Sequence, residues 1–220
     1  MSIDTELQRH YGLLLGVSSP WRVKDVELRL TIKEVQIELE WEWGQDAECP
    51  VCGRACSIYD SGPERTWRHL DTMQFRTVIR ARTPRANCPE HGVKTMRVPW
   101  AAPGGRFTNL FERFAIDVLL ASGSVKQGCG LLGIGWDAAQ NIINRAVERG
   151  LDRRELEGLK RLGIDEKSFK RGQSYITVLT DLDRGRVLDV EEERTGEAAQ
   201  RVLQSLSPEQ KALDSIGVSP

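Results

Sequence analysis

The sequence has no apolar run approaching the ~18–20 residues that a membrane-spanning helix needs, which excludes a helical span. It lacks a secretory leader as well, because MSIDTELQRHYGLLLG begins with acids and its apolar stretch is too short. A cytoplasmic chain is therefore the expectation. In that compartment the five cysteines are thiols or metal ligands rather than disulfides. Internal repeats and low-complexity tracts are also missing. Hydrophobic residues at 40% and charged residues at 29% suit a soluble globular protein, and 220 residues suit two or three small domains.

A net charge is missing too, but the value of −1 hides a segmental pattern. Residues 1–48 carry 5 basic and 10 acidic side chains, whereas residues 49–100 carry 9 basic and 4 acidic ones. A basic island between cysteines is the footprint expected of a surface that touches phosphates, although a solvated charged face gives the same pattern. Residues 26–42, VELRLTIKEVQIELEWE, alternate apolar and polar side chains, which argues a β-hairpin or meander. Phe75–Arg82 alternates again, so Arg76, Arg80 and Arg82 stand on the outward face of a strand. With Arg85 they are the candidates for phosphate contacts. Trp67 and Trp136 are read as core residues first and DNA wedges second. VPWAAPGGRF (98–107), with two prolines and two glycines, reads as a linker.

Cys49-x2-Cys52 and Cys88-x2-His91 form two knuckles, CPVCG and CPEHG, in which proline and glycine turn the backbone so that two side chains converge. Three sulfurs and one imidazole nitrogen are a tetrahedral zinc set, structural because no position stays open. One CxxC alone would equally suit a redox dithiol. Cys56 and His69 lie nearby and offer alternative ligands, but neither sits in a knuckle, so both are read as non-ligands.

From Leu110 to about Gly150 the apolar period becomes helical. SVKQGCGLLGIGWDAAQNIINRA behaves like a helix-turn-helix. Cys129 is the small residue at the helix crossing, Gly133 tolerates the turn, and Leu132, Ile134, Ala139 and Ile142 anchor it. Gly128 and Gly130 weaken the first helix. The second helix exposes Asp137, Gln140, Asn141, Asn144 and Arg145; of these Gln140, Asn141, Asn144 and Arg145 are side-chain types that read base edges in the major groove. A packing-only helical hairpin is the alternative.

From about residue 159 strands return: LGIDEKSF, ITVLTDL and RVLDV, then the helix EAAQRVLQSL and the start ALDSIGV. A three-stranded meander, a helix and a fourth strand make the opening of an RNase-H-like fold. Asp165 and Glu166 taken alone would be solvated acids at a strand end.

The order of these parts resembles that of bacterial insertion-sequence transposases with an N-terminal zinc finger, a helix-turn-helix and a DDE nuclease domain. The resemblance rests on CPVCG, CPEHGVKTMRVPWAAPGGRFT, VLLASGSVKQGCGLLGIGWD and LGIDEKSFKRGQSYITVLTDLDRGRVLDV. It implies that Cys49, Cys52, Cys88 and His91 bind zinc, that 115–147 binds DNA, and that Asp165 is the first DDE acid. In that family the acids hold Mg²⁺ or Mn²⁺ for DNA strand cleavage and transfer at terminal inverted repeats of double-stranded DNA. Family members continue past a second Asp and a distant Glu. Asp214 is not taken as the second acid, so the expectation is a C-terminally truncated member that binds DNA and is catalytically incomplete.

The expected class is α+β and multidomain: a β-rich region over 1–100 with a zinc finger at 49–97, a linker at 101–109, a helix-turn-helix at 110–150, and the first half of an RNase-H-like domain at 158–220. Homo-oligomers are compatible with it, and a membrane is not a partner. The alternatives are a zinc-dependent DNA-binding transcriptional regulator without nuclease activity, and an interaction-only zinc ribbon.

Overall fold

A computed structural model of the chain describes residues 3–154, 156–170, 174–204, 206–211 and 216–218. It divides into two compact units, Met1–Glu148 and Arg149–Pro220. The mixed α+β architecture is the one expected.

The first unit begins with α1 (Ile3–Leu15), which packs Tyr11 and Leu15 against a sheet. Two strands follow, β1 (Trp21–Arg29) and β2 (Glu34–Trp41), paired antiparallel around a tip at Leu30–Ile32. The small strands β3 (Ala47–Glu48) and β4 (Ala55–Cys56) then pair with each other. The long strands β5 (Ile58–Arg68) and β6 (Arg76–Cys88) join the sheet in the order β1-β2-β6-β5, and β7 (Gly92–Thr95) pairs with the end of β6. Strands β2 and β6 run parallel, which sets Val35, Ile37 and Leu39 beside Thr77, Ile79 and Ala81. All six are buried, so the period of two read from the sequence is the core face of this sheet. The opposite face carries a charged row in which Glu38 binds both Lys24 and Arg80.

Tryptophans close the core. Trp67 is fully buried, and edge-to-face contacts link Trp21 to Trp41, Trp21 to Trp100, and Trp67 to Trp100. The segment read as a linker has Trp100 and Ala101 buried. Its backbone is tied down as well: the Arg68 N–H donates to the Arg106 carbonyl, the Thr108 N–H to Arg68, and the Asn109 N–H to Trp100. Residues 100–109 form a strap rather than a tether.

Three helices follow, α2 (Asn109–Ala121), α3 (Val125–Leu132) and α4 (Trp136–Asp152). Thr108 and Ser124 cap α2 and α3, their hydroxyls accepting the Phe111 and Gln127 N–H groups.

In the second unit β8 (Leu162–Lys170), β9 (Ser174–Asp181) and β10 (Arg186–Glu192) form an antiparallel meander. The helix α5 (Gly196–Gln204) and the short α6 (Pro208–Lys211) lead to β11 (Ile216–Val218), which pairs parallel to β8. The order β10-β9-β8-β11 is the meander, helix and fourth strand expected from the sequence. Leu162, Ile164, Leu179, Leu188, Val202 and Leu206 make its core. Asp214 lies outside the described residues.

Candidate metal centre and nucleic-acid interface

Two hairpin turns build the metal centre. Between β3 and β4, Cys49 accepts at its carbonyl from the Gly53 N–H and donates its own N–H to Arg54. Between β6 and β7, Cys88 pairs with Gly92. Gly53 and Gly92 both adopt positive φ, 72° and 68°, immediately after the second ligand of each knuckle. Other residues are strained there, which is why each knuckle ends in glycine.

The turns bring Cys49, Cys52, Cys88 and His91 together, with their ligand atoms all within 4.8 Å of one another. Cys52 Sγ lies 3.8 Å from Cys88 Sγ, and His91 Nδ1 lies 3.8 Å from Cys49 Sγ and 3.5 Å from Cys88 Sγ. Zinc–sulfur bonds of about 2.3 Å and zinc–nitrogen bonds of about 2.0–2.1 Å at tetrahedral angles require edges of about 3.8 and 3.6 Å. The donor set and its spacing fit a tetrahedral zinc ion. Sulfurs this far apart are not disulfides, and all five cysteines are free.

Two of the three ligand thiols are prepared for that role, whereas the Cys52 thiol, although the Arg54 N–H lowers it, is raised by burial and by its neighbouring thiols. Burial alone would push the Cys88 thiol up, but backbone N–H groups of Glu90 and His91 outweigh it and bring it down to about 7. Backbone N–H groups of Cys52 and Val51 lower the Cys49 thiol. Cys56 is buried nearby, but it is not among the converging four, and its S–H donates to the Arg54 carbonyl at 3.3 Å. Burial pushes its thiol up. His69 points elsewhere, its Nδ1 2.9 Å from the Thr108 hydroxyl. Burial, helped by the Arg68 charge, pushes its pKa down to about 4.

The arginines of β6 divide into two kinds. Arg80 is half-buried and bound to Glu38 at 3.2 Å, and Arg85 is bidentate to Asp60 while lying over the Tyr59 ring. Each therefore has a carboxylate partner within the sheet, which the reading of them as phosphate contacts did not foresee. Arg76 and Arg82 are exposed and make no ion pair among the described residues.

The helix-turn-helix sorts similarly. Gly133 caps α3 in the left-handed conformation at φ 62°, as its place in the turn requires. Ala139 and Ile142 are fully buried, and Ile142 joins Phe111, Ala115 and Leu132 in one core. The closest helix crossing falls at Gly128, where a Cβ would meet Leu119 Cδ2 at 2.7 Å. Gly128 thus explains the close approach of α3 to α2 rather than weakening the motif. Gln140, Asn141 and Asn144 are exposed on α4, Gln140 donating to Asn144 at 2.9 Å. Arg145 instead reaches back to Glu112, 2.6 Å away and only 2% exposed. Arg145 thus neutralises a buried carboxylate across the helix pair. Trp136, read as core, is exposed on the same helix.

In the second unit Asp165 lies on β8 beside Val178, one residue past Ile164, which pairs with Val218 on β11. Its carboxylate accepts the Glu166 N–H at 2.8 Å and lies 3.7 Å from the Lys167 ammonium. Glu166 is engaged separately by Arg194 at 3.4 Å. Among the described residues, the Cys/His set is the only group of three or more ligands close enough to share an ion. A single half-exposed carboxylate does not make a two-metal site. Asp181 plays a part the sequence did not single out. Buried at the end of β9, it accepts from the Asp183 and Arg184 N–H groups and from Arg186 Nε. Burial opposes its charge, but these donors outweigh it and hold its carboxyl below the usual range. Its signal was the D-x-D-R-G turn itself.

Comparisons with known proteins agree with this layout. Residues 45–91 match the zinc-finger of transposase IS204/IS1001/IS1096/IS1165, and residues 96–147 match the helix-turn-helix domain of transposase family ISL3. Residues 162–216 match the DDE segment of the same family, described as transposase. Together the three matches cover more than two thirds of the chain. The transposases for insertion sequence element IS1557 from two Mycobacterium tuberculosis strains, CDC 1551 / Oshkosh and ATCC 25618 / H37Rv, are each 38% identical over 144 residues. That alignment takes in 64% of this chain and 32% of each relative. The chain thus matches about a third of the length of these curated relatives. No solved structure matches it. No described helix is long and apolar enough to cross a membrane.

Proposed function

Since this chain carries, in order, the zinc ribbon, helix-turn-helix and DDE segments of the ISL3 transposases, we propose that it binds the double-stranded DNA of transposon ends. The observation that carries this reading is the joining of zinc site, sheet and helix-turn-helix in one unit whose exposed α4 face offers Gln140, Asn141 and Asn144. In this reading Cys49, Cys52, Cys88 and His91 hold one structural zinc, which fixes the two knuckles and takes no part in the chemistry. Gln140, Asn141 and Asn144 read base edges, while Arg76 and Arg82 serve the phosphates. The protein works in the cytoplasm, and pairing of two copies on paired ends suits the role.

In this reading Asp165 is the family's first acid, and metal-dependent strand cleavage and transfer is the family reaction. Among the described residues it faces the Lys167 ammonium rather than a second carboxylate. In this reading these 220 residues bind DNA and, with Asp165 beside the Lys167 ammonium, do not carry out strand transfer by themselves. Incubating the purified protein with duplexes carrying its element's ends, with Mg²⁺ or Mn²⁺, tests both parts. Salt-sensitive binding without nicking is expected, whereas cleaved or joined products would sink the second part. Salt-insensitive binding would sink the first.

A further inference from the structure

A cleft of about 320 Å³ lies where the sheet meets the turn of the helix-turn-helix. Its sheet wall consists of Thr66, Arg68, Arg76 and Val78, all on the face opposite the hydrophobic core. The strap adds Arg106 and Phe107, and Gly133, Ile134, Gly135 and Ala138 close the other side. Three arginines line this cleft and no carboxylate does. Arg68 is already committed, paired with Asp71 and donating to the His69 and Thr77 carbonyls. Arg76 and Arg106 are exposed and make no ion pair among the described residues. Two unneutralised guanidiniums thus flank a small polar opening, one from the first residue of β6 and one from the strap. The nearest acid in register with Arg76 is Glu34, which is turned toward Arg29 and Gln36.

We infer that this cleft is a backbone-phosphate site, in which Arg76 and Arg106 clamp one DNA phosphate at the entry to α4. The inference rests on the DNA-binding reading above and adds to it a particular contact made by two segments at once. A guanidinium fork matches phosphate oxygens geometrically. The start of the 17-residue α4 borders the cleft, and its dipole favours an anion there. A phosphate held at this point fixes how far along the groove Gln140, Asn141 and Asn144 reach, while carrying no sequence information itself. Arg106 is thereby assigned a role although it lies in a glycine-rich stretch that gives no such sign.

The test measures fluorescence anisotropy of the full zinc-loaded chain on a duplex of its element end and on a random-sequence duplex of equal length, over a range of NaCl. Arg76→Gln, Arg106→Gln and the double variant are compared with Arg9→Gln, which removes one exposed charge from α1. The double variant should weaken both duplexes equally, by about tenfold or more, and flatten the log–log salt slope by about 1 to 2. Arg9→Gln should leave the slope unchanged. Equal losses for Arg9→Gln and Arg106→Gln, or no slope change in the double variant, overturn the clamp. Failure of the unaltered protein to bind either duplex would instead overturn the DNA-binding reading on which the clamp depends.

Discussion

Arg145 and Glu112 show how a single residue's role is decided by a partner 33 positions away. An arginine on the exposed-looking side of α4 is a natural base reader, yet here it neutralises a carboxylate that is 2% exposed. Replacing Arg145 with alanine would take the guanidinium away from a buried carboxylate, at a cost of about 3 kcal/mol. Chemical denaturation of Arg145→Ala should show that loss, and an unchanged stability would return Arg145 to the DNA-reading set. His69 makes a second prediction of this kind. Its folded pKa of about 4 lies below the ordinary value of 6.5, because burial disfavours the charged ring. A depressed histidine contributes stability that is present above pH ~6.5 and is lost as pH falls toward 4. Between pH 7 and 5 the loss is about 2 kcal/mol. His69→Asn should show a correspondingly shallower decline in denaturation midpoint, and parallel curves would argue against a neutral buried ring. Arg80 and Arg85 teach the same lesson as Arg145: the sequence displays their charge but not Glu38 and Asp60, which pleating and register bring alongside.

Elements were more legible than partners. The alternation in β2 and β6 marked their buried faces, because a pleated strand turns every second side chain inward. The helical period marked α2 and α4, and Gly133 marked the turn. Gly128 was misread because propensity counts against a glycine in a helix, while its tight fit against Leu119 arises only when two helices meet. The zinc knuckles were legible from spacing alone, since each ligand pair lies within one turn. Their chemistry gives an element-scale prediction. Metal analysis of the purified protein should find one zinc per chain, retained in Cys56→Ser and His69→Asn and lost in Cys49→Ser and Cys88→Ser. Retention of full zinc in Cys88→Ser would exclude the proposed ligand set. Because structural zinc supplies folding free energy directly, the metal-free variants should also lose the β3–β4 and β6–β7 hairpins.

For the molecule as a whole, the least legible feature was the strap. Pro99, Pro103, Gly104 and Gly105 read as a linker, and the composition gave no weight to the single tryptophan between them. Burial of Trp100 against Trp21 and Trp67 anchors the strap in the sheet core, and the Asn109 N–H at the start of α2 donates to the Trp100 carbonyl. Truncating Trp100 to alanine should cost about 3–5 kcal/mol, the usual range for a core aromatic. Hydrogen exchange should then accelerate together in α2, α3 and the β5–β6 pair. Acceleration confined to the sheet would show that the helices fold independently.

The strap also bears on inheritance. A set of helices on a free tether could be exchanged between related chains without loss. Here the Thr108 hydroxyl that caps α2 also meets His69, and its backbone N–H is held by Arg68. A foreign set of helices would arrive without the histidine, and without the Arg68 guanidinium over the Phe111 ring, that seat it. On the DNA-binding reading proposed above, new target preferences should therefore arise by substitution along α4, with the sheet and its helices inherited as a single block.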